Sequence, residues 1–160
     1  MISKREGDKY MRLAVKEARK NIISMEGGPF GACVVKGNSV VAVARNTVLK
    51  NDATCHAEIN AIRIASKITG SFDLTGCVIY STTEPCPMCL SAIHWARIKK
   101  VVYGTTIKDA AKIGFNELGI PGRVLARLGK SKVIICQSRL LGECRKLFHD
   151  WDVLPNKKLY

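Results

Sequence analysis

The sequence is poor in aromatic residues, which fill 6% of its 160 positions, and in acidic ones, with 13 Asp and Glu against 26 Lys and Arg. No apolar run approaches the ~20 residues of a membrane-spanning helix, so none is expected. The stretch Met1-Ile2-Ser3-Lys4-Arg5-Glu6 leads into an amphipathic helix instead of an apolar signal core, which points to a cytoplasmic protein. Internal repeats, low-complexity tracts and linkers are missing, and residues 1–160 read as a single domain long enough to bury a sizeable core. The net charge of +13 is uneven: residues 1–96 carry 12 basic and 8 acidic side chains, residues 97–160 carry 14 and 5. A polyanion-binding face and a solvated basic surface both fit that imbalance. The second is favoured, because there is no basic run of five or six and no interleaving with aromatics.

Seven cysteines are present, an odd number, and two of them carry the strongest signal in the chain. Thr83-Glu84-Pro85-Cys86-Pro87-Met88-Cys89-Leu90 places two thiols three residues apart at the opening of a helix, where unpaired N–H groups and the positive dipole end favour thiolate. About thirty residues earlier stands Cys55-His56-Ala57-Glu58. His56, Cys86 and Cys89 form an N/S/S donor set that suits zinc and leaves its fourth tetrahedral position open to water. Glu58 is then a carboxylate beside the ion, able to accept a proton from that water. H-x-E with P-C-x-x-C is the known signature of zinc deaminases. The rival readings are a redox pair and half of a structural zinc site. A redox pair would not require His56 and Glu58, and no second C-x-x-C or H-x-x-x-H closes a four-ligand site. Thiols wanted as free thiolates argue for a reducing compartment. Cys33, Cys77, Cys136 and Cys144 read as buried thiols, and Cys55 is left undecided.

Apolar spacing predicts a first helix over residues 8–25, ended by Gly27-Gly28-Pro29. Residues 30–36 and 39–45 read as strands joined by a Gly37-Asn38 hairpin turn. A helix follows over 56–68, stopped by Gly70, then a strand over 77–81 and the metal-bearing helix over 86–97. A strand over 100–104, a short helix over 106–113, a loop-rich stretch over 114–130 with at most one helical turn, a strand over 133–137 and a last amphipathic helix before Pro155 complete the chain. This αββαβαβ(α)βα order implies an α/β fold, a three-layer α/β/α sandwich around a mixed sheet of about five strands. The metal-bearing helix starts are then expected at strand ends, where open α/β sheets place their sites.

The sequence resembles the cytidine deaminase superfamily along its whole length, in the branch of guanine, tRNA adenosine and fungal-type cytosine deaminases. It is most similar to the bacterial guanine deaminases, through Gly27-Gly28-Pro29-Phe30-Gly31-Ala32, Glu84-Pro85-Cys86-Pro87-Met88-Cys89, Ala92-Ile93-His94-Trp95-Ala96-Arg97, Ala110-Ala111-Lys112-Ile113-Gly114-Phe115 and the terminal Tyr160. The resemblance implies Zn2+ held by His56, Cys86 and Cys89, with Glu58 shuttling protons. It implies a substrate nucleobase hydrogen-bonded by Asn46 and packed by Phe30, with Ala57 and Trp95 among the contacting positions. Phe30 reads equally as core, Asn46 as a turn residue and Trp95 as helix packing. It further implies a homodimer in which the segment of about 138–160 exchanges between subunits and Tyr160 caps the pocket. Guanine deaminases carry two aspartates where this chain has Asn116-Glu117, so Glu117 is expected to handle the purine amino group with a longer reach. The resulting activity is guanine to xanthine plus ammonia. The alternatives are tRNA-specific adenosine deamination, favoured by the charge, another base or nucleoside such as cytosine, and a catalytically inactive binding module.

Overall fold

The strand β1 (Gly31–Lys36) is buried on both faces along five of its six residues, as the apolar run GACVVK requires. It is the second strand of a five-stranded sheet ordered β2-β1-β3-β4-β5. The chain is described by a computed structural model over residues 4–138 and 140–160, excepting the side chains of 4–6; Met1 to Ser3 of the N-terminal stretch lie outside the described residues. β2 (Ser39–Arg45) pairs antiparallel with β1 through the expected hairpin at Gly37-Asn38, with an irregularity between Val34 and Val35. β3 (Cys77–Thr83) runs antiparallel to β1, while β4 (Lys100–Thr105) and β5 (Ile134–Gln137) continue in parallel. The sheet is therefore mixed, as predicted.

Alternation along the strands divides the core into two layers. Ala32 and Val34 of β1 and Cys77 and Ile79 of β3 face one side, with α3 (Ala57–Thr69) and α4 (Pro87–Trp95) packed over them. Cys33 and Val35 of β1 and Tyr80 of β3 face the other, beneath α1 (Lys4–Arg19) and part of α7 (Leu141–Asp152). Val34, Val35, Ile79 and Val101 are completely buried, each stabilising the fold by ~1.5–3 kcal/mol. α1 lies directly on the sheet: a Cβ at Gly31 would sit 2.2 Å from the Ala14 carbonyl oxygen, so only glycine permits this approach.

Three elements depart from expectation. The predicted helix over 8–25 is divided into α1 and a short α2 (Asn21–Ser24) that ends on the left-handed Met25. Asn21 turns inward there, its Nδ2 donating to the carbonyls of Gly28 (2.8 Å) and Asn46 (2.7 Å). The stretch 114–130 holds more helix than one turn, with α6 spanning Gly122–Leu128 after α5 (Ile107–Lys112). The metal-bearing helix is shorter than predicted, closing at Trp95 with Arg97 in a left-handed conformation. Among the described residues no helix is long and apolar enough to cross a membrane.

Candidate metal centre and active site

Two helix starts meet at one point. His56 is the N-cap of α3 and Cys86 the N-cap of α4, both with extended backbone and neither making a side-chain cap hydrogen bond. Cys89 lies one turn into α4, after Pro87 has set the first helical position. The Nδ1 of His56 is 3.7 Å from the Sγ of Cys86, and the donor atoms of His56, Cys86 and Cys89 all lie within 4.8 Å of one another. Bond lengths of about 2.0 Å to nitrogen and about 2.3 Å to sulfur around a tetrahedral ion place those two donors about 3.5 Å apart. The donor set fits zinc in both chemistry and spacing.

The charges point the same way. The Cys86 thiol is held down at about 4 by the Cys89 hydrogen bond, and His56 also lowers it against the opposing effect of burial. Burial disfavours the His56 imidazolium, but the Cys86 hydrogen bond and the charges of Glu58, Cys86 and Glu117 prevail and raise it to about 9. Burial pushes Glu58 up. Burial, with the Cys86 charge behind it, raises Glu117 to about 7. Sulfur and carboxylate groups thus crowd around one imidazole, an arrangement that calls for a cation.

Glu58, in the first turn of α3, is only 6% exposed. Its Oε1 accepts the hydroxyl hydrogen of Ser81 at 2.9 Å, and its Oε2 accepts from the Cys89 thiol at 3.5 Å. Glu117 comes from the loop after α5 to within reach of the Cys86, His56 and Glu58 charges. Asn46 follows β2 and is almost fully buried. Its Oδ1 accepts the N–H of Val48, and a Cβ at Gly27 would lie 2.2 Å from that same oxygen. Tyr160 folds back along its own chain. Its hydroxyl accepts the Gly28 N–H at 2.9 Å, and burial pushes that hydroxyl up. Phe30 joins an aromatic cluster, edge-on to Phe115 (4.8 Å) and Phe148 (5.8 Å), and Phe115 also contacts Tyr160 (5.4 Å). Ala57 is wholly buried between His56 and Glu58.

One expected contact position lies apart from the metal donors. Trp95 ends α4, some 12 Å of helix from its metal-bearing start, and 76% of its surface is exposed on an outer groove with Phe72, His94 and Arg97. It does not stand over the metal centre of its own chain. Cys55 is also set apart: its sulfur donates to Asp52 (3.3 Å) and accepts from Arg63 (3.4 Å). Sequence reasoning did not select Ser81 or Phe115 for the site. Ser81 could have been found as a polar residue in an apolar strand, since a buried hydroxyl needs a partner.

Residues 4–105 match the cytidine and deoxycytidylate deaminase zinc-binding region. The chain belongs to this deaminase family. Zinc is accordingly its cofactor, and the fold is that of the family. The guanine deaminase of Bacillus subtilis (strain 168) is 39% identical over 152 residues, covering 94% of this deaminase and 97% of the relative. A tRNA-specific adenosine deaminase of Buchnera aphidicola subsp. Schizaphis graminum is 33% identical over 145 residues, covering 89% and 91%. A solved guanine deaminase from Nitrosomonas europaea superposes with a TM-score of 0.82 at 25% identity, covering 91% of this deaminase and 84% of that chain.

Proposed function

We propose that this deaminase hydrolyses guanine to xanthine and ammonia, acting in the cytoplasm as a homodimer. The observation that carries the chemistry is a buried carboxylate, Glu58, fixed by Ser81 and set against the His56, Cys86 and Cys89 group. The near full-length similarity to a guanine deaminase and an acid at Glu117 favour guanine as the ring.

His56, Cys86 and Cys89 would hold zinc, which when bound supplies the Lewis acidity that brings deprotonation of water into the neutral range. In the reaction a C–O bond forms at the amino-bearing ring carbon and its C–N bond breaks. Glu58 takes a proton from water as the oxygen attacks, gives it to the adjacent ring nitrogen, and then carries the remaining proton of the added hydroxyl to the amine, so that a carbonyl forms as ammonia leaves. One carboxylate acting first as base and then as acid contributes typically ~10²–10⁴-fold. Asn46 orients the base by hydrogen bonding, Phe30 supports its face, and Glu117 receives the purine amino hydrogens. Tyr160 covers the base and keeps bulk water out. Exchange of about 138–160 between subunits would carry the same Tyr160 contacts across a dimer.

Ammonia release from guanine, adenine, cytosine, their nucleosides and tRNA tests the reading: guanine is the expected substrate, and silence with guanine alone refutes it. Glu58→Gln should retain zinc and lose turnover. The +13 charge favours one second reading, tRNA adenosine deamination, because a neutral base needs no such field whereas phosphate contacts do. Activity on RNA would fall steeply between low and moderate salt, and guanine turnover would barely respond.

A further inference from the structure

We propose that Glu84 is a positioning residue that locks the loop bearing Glu117 to the metal-binding turn; the proposal rests on the guanine deaminase reading. Glu84 leaves β3 two residues before Cys86, and its backbone N–H donates to the Thr105 carbonyl at 2.7 Å. Its side chain then reaches two different helix starts. Oε1 accepts the N–H of Gly122 at 2.9 Å, and Oε2 accepts the N–H of Ile107 at 3.3 Å. Ile107 opens α5 and Gly122 opens α6.

The chain between those two donors carries the groups that close the site. Phe115 packs on Phe30 and Tyr160, and Glu117 lies where the Cys86, His56 and Glu58 charges act on it. Beyond Phe115 little burial holds this segment: Leu118 is 68% exposed and Ile120 41%. Local capping does not hold its far end either. α5 has its own capping box from Thr106 and Asp109, but α6 begins at Pro121 with no side-chain cap bond. A single carboxylate therefore grips both ends of the segment, and it is covalently close to a metal ligand. Moving either end would shift Glu117 relative to Cys86, and a displacement near 1 Å is enough to cost ~10²-fold in an active site.

Glu84→Gln tests this, since it keeps the size of the side chain and one acceptor oxygen but turns an N–H2 group toward a backbone N–H. The expected result is retained zinc content, a guanine KM raised about tenfold or more, and kcat changed less than about threefold, the pattern of a lost binding interaction. Amide hydrogen exchange should accelerate in residues 113–122 and stay unchanged at the starts of α3 and α4. Glu84→Asp, too short to span both donors, should show the same split and serves if Glu84→Gln does not fold. A lower melting temperature with unchanged KM, or unchanged exchange in 113–122, overturns the proposal and leaves Glu84 a plain structural cap. If the wild type does not turn over guanine, the substrate reading fails separately. The exchange measurement, and the KM comparison on whichever base does release ammonia, then decide the role of Glu84.

Discussion

Removing the Ser81 hydroxyl perturbs the acid–base group while leaving Glu58 and every metal donor in place. Ser81 is 2% exposed and donates at 2.9 Å to Oε1 of Glu58. The other side-chain contact to that carboxylate is a longer one, from the Cys89 thiol at 3.5 Å to Oε2. A hydrogen bond to a charged group is worth ~1.5–3 kcal/mol. The Ser81 bond also favours the ionised form of Glu58, the form that accepts the proton from water. If the whole bond is felt in the transition state, Ser81→Ala lowers kcat/KM by about 10- to 150-fold, at ~1.36 kcal/mol per decade. Leaving the buried carboxylate short of a partner also destabilises the fold by ~1–3 kcal/mol. Steady-state kinetics on guanine, read beside zinc content and a urea melt, separate the two effects, because a well-folded, zinc-loaded variant has lost only the constraint on Glu58. Unchanged kcat/KM in such a variant would show that Ser81 does not hold the proton carrier, and the mechanism would lose its anchor.

Chelation of zinc should lower the melting temperature, and added zinc should restore it, because the sulfur and carboxylate groups around His56 lose their counter-charge; free zinc at 100 times its Kd would stabilise by about 2.7 kcal/mol, read by calorimetry. Gly27→Ala should impair guanine turnover more than stability, since the new Cβ falls 2.2 Å from Oδ1 of Asn46 and 2.6 Å from its backbone oxygen; kinetics and a urea melt compare the two losses. Trp151→Ala should cost ~3–5 kcal/mol in a denaturant melt, because the ring is wholly buried. Trp151→Phe should cost much less, as its loss of volume is offset by removing an indole N–H that has no partner among the described residues. Asp109 is held below its usual range by hydrogen bonds to Thr106, backbone first. A depressed carboxylate contributes stability above the unfolded value of about 3.9, lost as pH falls through the folded one. The stability gap between wild type and Asp109→Asn should therefore be full at neutral pH and vanish in acid, with no gap at neutral pH speaking against the capping box.

The metal centre was legible because its chemistry fixes residue type and spacing together: P-C-x-x-C sets two sulfurs one helical turn apart, and H-x-E sets an acid beside the imidazole. The sheet was legible for a similar reason, since runs such as Gly31–Lys36 and Cys77–Thr83 have no other place to go than a strand buried on both faces. What escaped prediction depends on contacts distant in sequence. α6 lacks a local start signal, because Pro121 caps nothing and the acceptor for Gly122 is 38 residues away at Glu84. The break at Lys20 comes from Asn21 turning to the carbonyls of Gly28 and Asn46, which no periodicity reveals. Trp95 lies apart from the metal donors because an aromatic next to a metal motif in sequence sits nine residues along a rigid helix, and so at its opposite end.

The two N-cap positions explain why motif and fold are so tightly joined. His56 and Cys86 occupy the places where Ser, Thr, Asp or Asn would ordinarily accept a backbone N–H, and neither does so; a missing cap costs typically ~1 kcal/mol. Both helix starts therefore present their positive dipole ends to the donor atoms, which is weak as helix design but useful for holding thiolate charge, and the Cys89 backbone N–H helps to hold the Cys86 thiol down. The same sacrifice is not made at α5, away from the metal donors, where Thr106 and Asp109 form a complete capping box. At the two ligand-bearing starts the capping position is given over to metal donors, and bound zinc would restore the stability relinquished there. A Cys86→Ser substitution should accordingly loosen the start of α4 by removing the metal, even though serine is the better intrinsic cap. Hydrogen exchange across residues 86–90 should rise in that variant, and a slower exchange there would mean that capping, not the metal, governs this helix start.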